Sequence, residues 1–172
     1  MEELWWPIRQ RRSVRSFRPE EVPVELLTSL LQAACLAPSA GNLQPWRFYV
    51  VRAPNVKRAL ARAARQAFVA QAPVVMVVCA MPEQSASVYG DRGRYLYCLQ
   101  DTAAALENLL LAAAATGLGA CWVGAFVEEE ASRALGLSAG IRPVALVPLG
   151  YAAENPPPVP RRALDEVVRW VD

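Results

Sequence analysis

Histidine is absent from the chain. That single zero excludes Ser-His-Asp and Cys-His nucleophile systems, histidine-ligated zinc or haem, and the imidazole switch near neutral pH. Chemistry that would need imidazole falls to a cofactor. Neither a G-x-G-x-x-G fingerprint nor a G-x-x-x-x-G-K-[ST] loop occurs, so a phosphate grip would have to be built from arginine. The cysteines, Cys35, Cys79, Cys98 and Cys121, form no C-x-x-C pair. Each sits among Ala, Leu, Val or Trp, which reads as buried free thiols in a reducing compartment rather than metal ligands or a disulfide framework. Charge of one sign is lacking too: 18 basic and 16 acidic residues leave a net +2, too balanced to indicate a nucleic-acid partner. The longest apolar stretch, around Leu109 to Ala115, falls far short of the roughly 20 residues of a membrane span. Glu2 and Glu3 stand where a signal peptide would carry cations. These features predict a cytoplasmic protein with no membrane partner.

What is present is a substantial core. Hydrophobic residues make up 54% of 172 and charged ones 20%, which excludes disorder and leaves room for one domain of roughly 100 to 200 residues. A short helix is expected over Leu4 to Arg12, where Leu4, Trp5 and Ile8 share a face. A second follows Pro23, with Leu26, Leu27, Leu30, Leu31, Ala34 and Cys35 in one stripe before Pro38. WRFYVV, from Trp46 to Val51, predicts a strand; Pro54-Asn55 then opens an Ala/Arg-rich helix to about Gln66. VVMVVCA, from Val74 to Ala80, has no polar alternation and predicts a central strand covered on both faces. Met81 to Gly93, with Pro, Ser, Gln and two Gly, reads as a loop. The longest helix is expected over Arg94 to Thr116, nearly all apolar, with a polar strip from Asp101 to Asn108 explained by inter-helix hydrogen bonds. GACWVGAF then predicts a strand, Glu128 to Leu135 a short helix, and RPVALVPLG another strand. ENPPPVPRR predicts extended polyproline before a last amphipathic turn, Leu164 to Val171. Trp5, Trp6, Trp122 and Trp170 are read as core or interface packing rather than substrate stacking.

Two stretches could carry chemistry. Arg9, Arg11, Arg12, Arg15 and Arg18 place five of the 18 basic residues within ten positions, interleaved with Ser13 and Ser16. Guanidinium forks and a hydroxyl could cradle one phosphate; a solvated basic face is the alternative. Pro38-Ser39-Ala40-Gly41-Asn42-Leu43-Gln44-Pro45-Trp46 makes a rigid loop rich in amide groups, suited to walling a planar heterocycle. It could equally be a helix-to-strand turn capped by Ser39 and Asn42.

RRSVRSF, followed by about 20 residues of helix and then APSAGNLQPWRF, closely resembles the flavin-dependent nitroreductase family. The likeness continues through APVVMVVCA, RYLYCLQDTAAALENLLLAA, TGLGACWVGAF, RPVALVPLGY and PRRALDEVV, and so spans practically the whole chain. It implies an α+β fold, a mixed, largely antiparallel sheet flanked by helices. It also implies one flavin mononucleotide (FMN)-binding domain over residues 1–172, with 152–172 as an extended arm, in an intertwined homodimer. The apolar long helix and the tail point to a dimer on their own. By the resemblance, Arg11, Arg12 and Ser13 contact the FMN phosphate and ribityl chain, and Arg15 lies near the pyrimidine edge. Pro38, Ser39 and Asn42 form the loop that the partner lays against the ring; Gln66 stands near the ring edge, though its local match is poor. Val123 and Gly124 follow a strand over the ring, and Arg161 and Arg162 return to the phosphate. Val159 replaces a lysine common at that position in the family.

The implied reaction is ping-pong hydride transfer from NADH or NADPH, through the flavin, to a small-molecule acceptor such as a nitroaromatic or quinone, with no catalytic side chain. Dehalogenation, heterocycle oxidation or flavin destruction within the superfamily, and a non-enzymatic flavin-binding or sensing module, are the alternatives. Acceptor choice is expected to lie in Met81 to Gly93.

Overall fold

The computed structural model describes residues 2–171; the side chains of Glu2 and Leu4 lie outside the described ones. In chain order the elements are α1 (Glu2–Gln10), α2 (Val24–Cys35), a 3-10 turn (Ala40–Asn42), β1 (Trp46–Val51), α3 (Pro54–Ala64), α4 (Phe68–Gln71) and β2 (Val74–Ala80). They continue with α5 (Pro82–Arg92), a wide π-type turn (Gly93–Tyr97), α6 (Cys98–Ala115), β3 (Leu118–Ala120), α7 (Glu128–Leu135), β4 (Arg142–Tyr151) and α8 (Leu164–Val167). The four strands form one open sheet in the order β1-β2-β4-β3, antiparallel at each pairing. Helices cover both faces, as expected for an α+β chain.

β2 organises the core because successive side chains leave it on opposite faces. Val74, Met76 and Val78 join Leu30 of α2 and Leu106 and Leu109 of α6. Val75, Val77 and Cys79 join Leu60 of α3, Ala131 of α7 and Leu146. Every residue of β2 is buried, which is why its sequence shows no polar alternation. Fully burying one Val or Leu contributes roughly 1.5 to 3 kcal/mol, so this two-faced strand anchors both layers.

Four expectations need correction. Pro82–Arg92 is a helix, not a loop. Pro82 starts it at the position where proline is tolerated, and the Arg94 guanidinium pins it by hydrogen-bonding both Glu83 carboxylate oxygens at 2.9 and 2.6 Å. Its return to α6 is so tight that a Cβ on Gly93 would lie 2.4 Å from the Ser85 carbonyl oxygen. Secondly, β3 ends at Ala120 instead of running to Phe126. The chain keeps its register on β4, with Val123 and Leu146 exchanging both backbone hydrogen bonds at 2.9 and 3.0 Å. Between them Cys121 donates to the Pro148 carbonyl at 3.2 Å, and proline has no N–H to return the bond. Thirdly, Cys35 is exposed; only Cys79, Cys98 and Cys121 are buried. Burial raises all three of those thiols, Cys79 to about 12. Lastly, Trp5, Trp6, Trp122 and Trp170 are all exposed on the single chain, so of the two packing roles expected of them the core is excluded and the interface is left.

The polar strip of α6 does bind other elements. Asn108 donates to the Ala33 carbonyl at 3.2 Å and Asp101 Oδ1 accepts the Ala40 N–H at 3.2 Å, while Asp101 Oδ2 is buried without a partner among the described residues. Burial raises the Asp101 carboxyl above its ordinary range, against the opposing Ala40 N–H. A carboxyl raised in the folded state favours folding below its ordinary value and loses that contribution as pH rises through the folded value. The thermal midpoint of the protein should therefore fall relative to that of Asp101→Asn as pH goes from about 4 to about 7. A difference between the two melting curves that stays constant with pH would contradict it.

Candidate functional site

α1 stops at Gln10, and the chain turns to run along the edge of the sheet. Ser13 bridges Ala120 in parallel, the Val14 N–H donates to the Ala120 carbonyl at 3.0 Å, and Phe17 bridges Ala152. This approach needs a glycine opposite: a Cβ on Gly119 would fall 2.8 Å from Val14 Cγ1. Val14 is buried, so the alternate residues Ser13 and Arg15 are left to face the other way.

The outcome is a cavity of about 510 Å3 whose wall includes Arg9, Arg11, Arg12, Ser13, Arg15 and Arg161, closed by the prolines 156 to 158. Two distant stretches, residues 8–15 and 156–161, thus meet at one basic surface. Among the described residues no carboxylate lines it, so the potential they create inside is positive and suited to a phosphoryl group. The arginines differ in what holds them. Arg11 Nε lies 3.4 Å from a Glu107 oxygen on α6. Arg12 turns one nitrogen back onto the Arg9 and Arg11 carbonyls at 2.6 and 2.9 Å, satisfying the frayed end of α1 and leaving its remaining donors for a ligand. Arg15 stands with its guanidinium carbon 6.0 Å from the centre of the Phe68 ring.

A carboxylate that no motif flags fixes this segment. Glu154 Oε1 accepts both the Arg15 and Ser16 backbone N–H groups, the second at 3.0 Å. The only sequence sign of it is an acidic residue just before the proline run. Glu154 also lines an adjoining cavity of about 250 Å3 that shares Arg11, Arg12 and Pro156 with the larger one. The buried Cys121 thiol lies close by; burial raises it, partly offset by Arg15, Ser13 and Arg11, so it stays protonated.

The remaining candidates lie elsewhere in the single chain. Pro38, Ser39 and Asn42 do not line the arginine cavity. Their loop is fastened by Asp101, by a Gln84 amide donating to the Leu43 carbonyl at 2.6 Å, and by the Ser39 hydroxyl, which accepts the Gln44 N–H at 2.9 Å. Gln66 borders a separate cavity with Arg58, Arg62 and Arg65. The Val123 side chain is buried in the core, so only its backbone could face a ligand; Gly124 is exposed beside Trp122. Arg162 pairs with Glu166 at 3.0 Å and does not line the cavity.

Comparison with known proteins decides the family. The model of the nitroreductase family matches residues 8–68 and 53–151. The chain belongs to the nitroreductase family. An NADH dehydrogenase of Thermus thermophilus is 39% identical over a 189-residue alignment, covering 94% of this chain and 92% of that one. A nitroreductase family protein from Clostridium novyi superposes with a TM-score of 0.80 at 32% identity, over 87% of this chain and 85% of that one. The NADPH:FMN oxidoreductase of Vibrio harveyi, in complex with NAD+, superposes with a TM-score of 0.87 at 26% identity, over 96% of this chain and 76% of that one.

Gly119→Ala should force Val14 off the sheet edge. Overpacking of this kind costs about 1 to 3 kcal/mol, so the denaturant midpoint should fall measurably. A variant with unaltered stability would show that the contact between Val14 and Gly119 does not set the path of the segment.

Proposed function

We propose that the protein is an FMN-dependent NAD(P)H oxidoreductase that works as a homodimer, with its whole chain forming one flavin-binding unit. As a nitroreductase-family member it is an oxidoreductase, and the cavity lined by Arg11, Arg12, Ser13, Arg15 and Arg161 is the observation that carries the finer reading. Its donor set suits a phosphate monoester: fixed guanidinium forks, a hydroxyl, and no competing carboxylate on the wall. Arg11 and Arg161 would hold the phosphate from two sides, with Ser13 and the spare donors of Arg12 beside them. When bound, FMN supplies the hydride chemistry, accepting hydride from NADH or NADPH and passing it in a second half-reaction to a nitroaromatic, a quinone or a similar acceptor.

The chain's own residues bind, orient and exclude. Arg15, its backbone held by Glu154, would supply a cation beside the pyrimidine edge of a bound flavin, the kind of preorganised electrostatic stabilisation that lowers a barrier. The Cys79, Cys98 and Cys121 thiols are raised, and there is no imidazole, so neither a buried thiol nor a histidine changes protonation around neutrality. The fastened loop bearing Pro38, Ser39 and Asn42 is free on its outer side to cover a partner's site. Exposed Trp5, Trp6, Trp122 and Trp170, with Leu164 and Val171 of the arm, supply apolar surface for an intertwined interface.

The purified protein should be yellow, release FMN on denaturation, elute at twice the chain mass, and bleach rapidly with NADH or NADPH in the absence of oxygen. A colourless monomer that FMN does not reconstitute would overturn the reading. Arg11→Ala should weaken FMN binding by about 1.5 to 3 kcal/mol, the range for a hydrogen bond to a charged group. Arg18→Ala should leave it nearly unchanged, because Arg18 pairs with Glu20 at 3.1 Å and stacks on Tyr151 away from the cavity. Equal losses at both positions would indicate a general basic face. The bleaching rate at saturating nicotinamide should be flat between about pH 6 and 8; stopped-flow traces giving a bell-shaped profile would require a protein acid or base.

A further inference from the structure

α3 carries Arg58 and Arg62 four residues apart, and Arg65 follows three residues later at its left-handed C-cap, with φ of +54°. The spacing of four puts Arg58 and Arg62 on one side of the helix, opposite the buried Leu60 and Ala64, and Arg65 borders the same cavity. They rim a shallow cavity of about 470 Å3 floored by Ala61, Ala67 and Ala70. Among the described residues none of the three enters an ion pair, whereas Arg94, Arg142 and Arg162 each hold a carboxylate. The acidic start of α7, the helix packed on α3, does not supply one: Glu128 is taken by Arg142 at 2.8 Å.

Helix stability does not account for the stripe. Arg62, in the last turn, is favoured by the helix dipole, but Arg58 is not, and like charges four apart oppose the helix. A rim of unpaired guanidinium groups around an apolar floor matches a phosphorylated nucleoside, whose base can lie on small side chains and whose phosphate takes forked donors. The cavity is separate from the arginine site, and the chain links the two: Gln66 on its border stands two residues before Phe68, the ring beneath Arg15.

We propose that this cavity binds the adenosine-phosphate half of the dinucleotide co-substrate, with Arg58 and Arg62 on phosphate oxygens and the adenine over Ala61, Ala67 and Ala70. The assignment rests on the functional reading above and adds to it where the nucleotide end of NAD(P)H is held. It makes these arginines specificity-determining residues, outside the FMN cavity, for phosphate-bearing donors.

The test is calorimetric titration of the flavin-loaded protein with 2′,5′-ADP at fixed ionic strength, in the wild type and in the Arg58→Gln/Arg62→Gln variant, with flavin absorbance read on the same samples. The wild type should bind saturably, one nucleotide per chain. The variant should keep its flavin and bind at least about tenfold more weakly, the loss expected for even one charge-assisted contact. Kinetic KM for NADPH should rise in parallel. Absence of saturable binding, equal affinity in the two proteins, or equal displacement by sodium sulfate, which would mean diffuse attraction only, overturns the inference while leaving the flavin reading intact. A protein that holds no flavin overturns that reading itself, and the inference with it.

Discussion

The site depends on a close approach between two backbones. Residues 13–17 are hung on the edge of the sheet by the bridges from Ser13 to Ala120 and from Phe17 to Ala152, and the glycine at 119 leaves the space that Val14 fills. Because that segment has strand geometry, its residues alternate: Val14 goes inward and its neighbours outward. The charged residues are thereby presented as a row, and the proline-rich tail, crossing where Ala153 N–H donates to the Ser16 carbonyl at 2.9 Å, brings Arg161 to the same wall. A basic cluster that would otherwise be a solvated coil becomes a concave surface through main-chain pairing and the Glu154 carboxylate that accepts from it.

That pairing is only as firm as the sheet beneath it. β3 is short and hangs on β4, and β4 is held by β2, whose two faces are locked into separate hydrophobic clusters. Pro148 lies one residue before Leu149, the partner of Ala120. It interrupts the ladder where the chain departs toward Trp122, so the backbone from Cys121 to Gly124 runs in register with fewer bonds. Glycine at 150 serves the far side, where a Cβ would come 2.5 Å from the Pro73 ring. The order of dependence runs from β2 outward to the arginines.

Much of this is legible in the sequence because it is local. The unbroken apolar run Val74 to Ala80 gives the central strand, and WRFYVV and Glu128 to Leu135 give their elements to the residue. Of the arginine run and the PRR of the tail, Arg9, Arg11, Arg12, Arg15 and Arg161 do line one cavity, while Arg18 and Arg162 do not. What stays hidden is set by partners far along the chain. The helix Pro82–Arg92 has no apolar stripe to reveal it; its fastening to Arg94 and the contact of Gly41 with Tyr89 are tertiary. Glu154 is one acidic residue before prolines until the fold puts it under two N–H groups. Arg58, Arg62 and Arg65 read as filler in an Ala/Arg-rich helix, since their lack of carboxylate partners is a property of three dimensions.

The placement of the loop bearing Ser39 and Asn42 completes the argument about assembly. Its fastenings come from its own chain, the buried Asp101 and the Gln84 amide, and the Tyr89 hydroxyl packs so close that a Cβ on Gly41 would lie 2.7 Å from it. A loop this rigid does not swing over to the arginine cavity of its own chain, whose wall it does not reach. Under the proposed reading, a planar ligand held at Arg15 would take its second wall from elsewhere, and an identical loop on a second copy would supply one under two-fold symmetry. The four exposed tryptophans and the apolar end of the arm are the surface such an exchange would bury. Self-association and ligand binding would then be coupled in one equilibrium, with the loop tied down by Asp101 in the first turn of the long helix.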